Sequence, residues 1–207
     1  MARTANPHTR DNLMEAAFKL VREKGLTATT VDEICAAAGV SKGAFFHHFK
    51  SKEELAVAAA HHWSAVTGGF FDNAPYHQPE DPLERLLGYI ALRREMMDGE
   101  IADFTCFVGT MAQEAWATSP PVAAAAWDSM AEHAEKLAVD IDAAKAARGI
   151  AGDWSARSLA LHIGTVTQGA FILAKASGDA SIAQDSLDHL RRYIEALFEA
   201  PAPAAKS

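Results

Sequence analysis

The stretch Gly39-Val40-Ser41-Lys42-Gly43-Ala44-Phe45-Phe46-His47-His48 holds the residue types and spacing in this 207-residue chain that come nearest to a chemistry. Its first five residues spell G-x-S-x-G, the string of a hydrolase nucleophile elbow. That elbow needs a strand before the serine and a helix after it. Here an alanine-rich, helix-forming segment precedes the serine, so a hydrolytic enzyme is the remote alternative and a non-enzyme is expected. Read as a helix start instead, Ser41 is an N-cap. Phe45 and Phe49 stand i and i+4, and one inward stripe takes both. Lys42, Gly43, Phe46 and His47 then point largely outward. Glycine weakens a helix that serves only as scaffold, but it suits a backbone that must approach another surface closely. Lys42 can reach a base edge or a phosphate. His47, His48, Lys50 and Lys52 supply polar hydrogens around the helix end. The next helix start, at Ser51-Lys52, offers free amides to a phosphate.

Other chemistries find no support. The adjacent pairs His47-His48 and His61-His62 splay about 100° apart on a helix, so neither makes a metal clamp. There is no H-E-x-x-H, no P-loop and no G-x-G-x-x-G. No metal and no cofactor are expected. The two cysteines, Cys35 and Cys106, stand far apart, which argues against a disulfide scaffold and for a reducing, cytoplasmic setting. The first residues lack an apolar stretch of the secretory kind, and no apolar run approaches the roughly 18 residues of a membrane span, so no membrane partner is expected.

Helices must position these groups. Alanine, the best helix former, supplies 44 residues, and no sustained period-2 pattern exists, so the expected class is all-α. Nine helices are predicted. The first, 10–24, carries the stripe Leu13, Ala16, Ala17, Leu20 and Val21, with Thr9 as cap and Gly25 as stop. Thr30-Val31-Asp32-Glu33 is a capping box that opens the second, which ends at Gly39. The third is short, 42–48. Ser51-Lys52-Glu53-Glu54 opens the fourth, running toward Gly68-Gly69. The remaining five span about 82–98, 103–117, 120–148, 154–177 and 182–200, and a short PAPAAKS tail follows. The pair around Gly39-Val40-Ser41 has the parts of a helix-turn-helix, whose second helix enters the major groove of DNA. Net charge is −8, but residues 1–55 hold 8 Lys+Arg against 7 Asp+Glu, so the acidity lies beyond them. That distribution permits a DNA-binding head on an acidic body. The acidic body also argues against a constitutive architectural DNA protein.

Residues 10–55, and Gly39 to Leu55 above all (GVSKGAFFHHFKSKEEL), resemble the N-terminal domain of TetR-family transcriptional regulators. The string is similar to that family's Gly-Val-Ser-x-x-x-hydrophobic-Tyr-x-His-Phe-x-x-Lys-x-x-Leu pattern. The resemblance implies a helix-turn-helix domain over 8–55 and an effector-binding, dimerising domain over 56–200. It also implies a ligand-responsive repressor that binds a pseudo-palindromic double-stranded operator as a homodimer. Thr30, Ser41, Lys42, Gly43, Phe46, His47, His48 and Lys52 would face DNA. Of these, Lys42, Gly43 and His47 would meet bases, and Thr30, His48 and Lys52 phosphates. Phe46 stands where the family usually has Tyr, so one hydroxyl contact to a phosphate is lost.

For the effector, Trp63, Tyr89, Met96, Phe104, Cys106, Phe107, Met111, Trp127 and Phe171 could line an apolar pocket, with His133, His162 and Gln168 as polar anchors. Such walls suit a small apolar or aromatic molecule. The segment Cys106 to Glu114 is similar to a Cys-x-x-x-x-x-hydrophobic-x-Glu segment in one subgroup of the family, which includes regulators induced by thiol-reactive electrophiles. The alternative is therefore a thiol sensor through Cys106, helped by a helix N-terminus or by Lys175. The stripe Leu187, Leu190, Ile194, Leu197 and Phe198 predicts a dimer seam on the last helix, with Gly164 and Gly169 allowing close approach on the helix before it.

Overall fold

The structure, a computed structural model, describes residues 8–151 and 153–199. The PAPAAKS tail lies outside the described residues. Those described are helical throughout: α1 (Thr9–Lys24), α2 (Val31–Ala37), α3 (Lys42–His48), α4 (Lys52–Asp72), α5 (Pro82–Glu95), α6 (Ile101–Phe104), α7 (Phe107–Ala115), α8 (Pro120–Ala147), α9 (Ala156–Ser177) and α10 (Ser181–Glu199), with one 3-10 turn at Pro75–His77. The tenth helix comes from the predicted segment 103–117, which breaks at Thr105-Cys106. Cys106 takes extended backbone angles there, and its Sγ accepts the Gly109 N–H at 3.3 Å, capping α7. A second departure is α4, which runs through Gly68 and Gly69 to Asp72.

Contacts divide the chain into two compact units. One comprises residues up to 69 together with 105–130, the other residues 70–104 together with those from 131 on. This division does not follow the expected boundary at residue 55, because α7 and the first part of α8 pack with the head. Leu13, Phe45, Phe107 and Met111 are all fully buried in that unit's core. Phe18 holds the core's centre, its ring 4.9 Å from Phe107 and 5.1 Å from Trp63.

In the second unit α10 lies on α9 and α5. Of its predicted stripe, Leu187, Leu190, Ile194 and Phe198 are buried within one protomer, and Leu197 is half-buried. The predicted seam on that stripe is thus corrected, since the neighbouring helices already cover it. Other apolar residues of α9 and α10 stay exposed. Ile172, Leu173 and Tyr193 are each about half exposed, and His162 packs edge-on against Tyr193 at 5.4 Å. Helix α9 is long and apolar enough by length and composition to cross a membrane, although its polar residues interrupt any continuous apolar run. In this structure one face of α9 is buried against its neighbours.

Candidate nucleic-acid interface

The turn between α2 and α3 is a Schellman motif. Gly39, at φ +66°, sits at the left-handed position, where a Cβ would be strained. The Val40 N–H donates to Cys35 O at 2.9 Å and the Gly39 N–H to Ala36 O at 3.2 Å. Ser41 Oγ then accepts the Ala44 N–H at 3.2 Å and starts α3 at once. Phe45 and Phe49 anchor this helix inward, and Arg10 lies 5.2 Å over the Phe49 ring, tying the end of α3 to the start of α1. The anchoring turns Ser41, Lys42, Gly43, Phe46 and His47 to solvent, with His48 half-buried against the His47 ring. Phe46 is 52% exposed, an apolar ring held outward that is free to pack on sugar or a thymine methyl.

Thr30 begins α2 at the same edge. Its Oγ1 accepts the Glu33 N–H, and the Glu33 carboxylate accepts the Thr30 N–H at 2.9 Å, the reciprocal box expected. Hydrogen bonds from Lys24 and then Thr30 hold the Glu33 carboxyl down to about 2. Lys42 pairs with Asp32 at 2.8 Å, a partner that the sequence did not single out. Both side chains are more than half exposed, so solvent screens the pair and it holds Lys42 only weakly. A phosphate or a base acceptor can replace Asp32 at little cost.

Gly43 is informative because nothing inside the protein requires it. A Cβ there would meet only Ser41 Oγ, at 3.8 Å. A larger side chain would fit among the described residues at this position.

Lys52 has another task than the phosphate contact expected of it. Its Nζ donates to Leu26 O and Thr29 O at 2.8 Å and reaches Thr27 O at 3.4 Å. These carbonyls line the loop between α1 and α2, so Lys52 positions Thr30 and does not project freely. Glu114 of α7 grips the same loop, accepting the Thr27 N–H at 2.7 Å. Gly25 gives it room at φ +89°: a Cβ there would fall 2.0 Å from Glu114 Oε1.

The residues expected to line one effector pocket fall in both units. Trp63, Cys106, Phe107, Met111 and Trp127 belong to the first, where Phe107 and Met111 are core and Trp127 is half exposed. Tyr89, Met96, Phe104, His133, His162, Gln168 and Phe171 belong to the second. There His162 faces outward, Met96 is exposed and Gln168 half-buried. Tyr89 and His133 come together, Oη to Nε2 at 2.7 Å, and Phe171 stands 6.1 Å from Phe104. The sequence reading missed Arg93, whose guanidinium lies over Phe71, Tyr89 and Phe171. Tyr89-x-x-x-Arg93 puts both on one helical face, but Arg94 beside it is the same residue type, and only packing tells them apart.

Residues 13–59 match the family described as bacterial regulatory proteins, tetR family, and residues 82–190 match the tetracyclin repressor-like C-terminal domain. The chain belongs to the TetR family. Among curated relatives, the transcriptional regulator AcuR of Cereibacter sphaeroides is 31% identical over 103 residues, 50% of this chain and 47% of that one. The HTH-type transcriptional repressor KstR2 of Mycobacterium tuberculosis is 40% identical over 85 residues, 38% of this chain and 39% of its own. The chain thus spans less than half the length of these relatives. A solved TetR regulatory protein from Rhodobacter sphaeroides matches at a TM-score of 0.77 with 26% identity, covering 90% of this chain and 97% of that one. The two curated relatives are named as a transcriptional regulator and a transcriptional repressor.

Proposed function

We propose that the protein is a cytoplasmic repressor that binds a pseudo-palindromic operator as a homodimer and releases it when a small molecule binds the C-terminal part. The carrying observation is the outward edge of α3, where Lys42, Gly43, Phe46 and His47 are exposed together over a helix anchored by Phe45 and Phe49. Lys42, Gly43 and His47 would read bases, and Thr30, Ser41 and His48 would meet phosphates and fix register. The dimer would form through the outer faces of α9 and α10, around Ile172, Leu173 and Tyr193. A Cβ at Gly164 or Gly169 would meet open space, which leaves room for a partner backbone there.

Gly43→Ala separates the protein's own needs from those of DNA. Alanine should raise stability by about 0.5–1 kcal/mol, since it favours the helix and meets no neighbour. It should also weaken operator binding at least tenfold by holding the backbone off the groove. Mobility shifts on the DNA flanking the gene, beside thermal unfolding, read both. Binding without sequence preference in the wild type, or an unchanged affinity in the variant, would refute the assignment.

A second reading, a thiol sensor, is favoured by one observation: Cys106 Sγ is the side chain that caps α7. Helix N-termini are a setting in which reactive cysteines occur. Cys106→Ser should then abolish release from the operator by N-ethylmaleimide, followed by mobility shift and intact mass. Unaltered release in the serine variant rules this reading out.

A further inference from the structure

The loop between α1 and α2, residues 25–29, is held largely by polar groups. Leu26 is half-buried, and Thr27 and Ala28 are exposed. Within the loop, the buried Thr29 donates its hydroxyl to Gly25 O at 2.6 Å. Lys52 of α4 collects the carbonyls of Leu26 and Thr29, and Glu114 of α7 accepts the Thr27 N–H. A cation thus takes the carbonyls and an anion the amide, each a charge-assisted hydrogen bond.

The fold itself gains little from the Glu114 contact. Thr27 is exposed, so water can satisfy its amide. Yet a carboxylate reaches it from 87 positions further along the chain. What such a bond adds is a fixed position. The loop is also shaped around that carboxylate. Gly25 is buried at φ +89° and ψ 161°, a region that glycine alone adopts readily. A Cβ there would fall 2.0 Å from Glu114 Oε1 and 2.9 Å from Glu114 Cδ. The space that the missing side chain leaves is the space that the carboxylate fills.

The loop leads directly into the DNA-facing edge. Thr30 follows it, the capping box with Glu33 starts α2, and Asp32 in the first turn meets Lys42 of α3. We infer that Glu114 is a positioning residue for operator binding: through the Thr27 amide it fixes where α2 begins, and with it the placing of Thr30 beside α3. This inference rests on the operator-binding reading. Lys52 cannot do the same alone, because rotatable donors on a flexible stem set a distance and not a direction. Alanine at 114 removes the acceptor, whereas the amide oxygen of glutamine still accepts.

Mobility shifts on the full chain test it, with the DNA flanking the gene and an unrelated duplex of the same length, beside thermal unfolding. Glu114→Ala should weaken operator binding roughly tenfold, the order of one charge-assisted hydrogen bond, and leave the unrelated duplex bound as before. Glu114→Gln should recover most of that loss. Phosphate ethylation gives a readout that a merely structural residue would not move. In the alanine variant, interference should vanish at one edge of each half-site and persist elsewhere. Hydrogen exchange needs no variant: the wild-type Thr27 amide should be protected although its residue is exposed. Exchange there at the rate of an open loop would overturn the inference. So would a glutamine variant as weak as the alanine one, or a loss shared by both duplexes that tracks lost stability. The two readings fail separately. A wild type without sequence preference sinks the operator reading and this one with it, and a preference that Glu114→Ala keeps in full sinks this one alone.

Discussion

Phe107→Ala should destabilise the protein by about 3–5 kcal/mol and abolish operator binding near 37 °C, although Phe107 lies far beyond the helix-turn-helix in sequence. Its side chain is fully buried and packs between Phe18 and Trp63 in the first unit. Removing the ring leaves a cavity at the centre of the core that supports α1. For a chain of this length the loss should lower the melting temperature by roughly 10 °C or more. Denaturant unfolding and mobility shifts at two temperatures measure it. Operator affinity should recover on cooling, where the variant remains folded. A variant with wild-type stability would show that α7 is no part of the head's core.

The second large effect belongs to the outer face of α9. Leu173→Glu should give a monomer by light scattering and weaken operator binding by roughly 10²–10⁴-fold, because each head then meets its half-site without the effective concentration that a linked partner supplies. Leu173 is 53% exposed in the protomer, so the charge should leave the fold intact. Substituting Leu190 or Ile194 would be a poorer test. Both are buried beneath the helix, and a glutamate there would unfold the unit before it reported on assembly. A specific interface should bury upward of about 1,200 Å² in total. A Leu173→Glu protein that stays dimeric and binds operator normally would move the interface elsewhere.

The head was legible in the sequence because its instructions are local. Thr30 and Glu33 are three residues apart, Ser41 caps its own helix, and Gly39 marks its own turn. The inward roles of Phe45 and Phe49 follow from spacing alone. The break between α6 and α7 was not legible, since its cap is a cysteine, outside the Ser, Thr, Asp and Asn set that marks a helix start. Nor was the continuation of α4 through Gly68-Gly69. Two glycines cost about 1 kcal/mol each against alanine, and tertiary packing overrides that sum. Lys52 looked like a phosphate ligand because the carbonyls it holds lie 23 to 26 residues upstream. Arg93 and Arg94 are chemically identical until one of them is buried.

The Glu114 grip on Thr27 and the burial of Phe107 bear on what can be cut or exchanged. A fragment ending after α4 would carry the whole sequence signature of the head and still lack the residues that close its core. Phe107, Val108, Met111, Ala115 and Val122 all come from beyond residue 100. Such a fragment should aggregate, and a chimera that grafts this head onto a foreign body should fail unless 105–130 travel with it. Inheritance is constrained in the same way: a substitution in α7 is also a substitution in the core that holds α1 and α3.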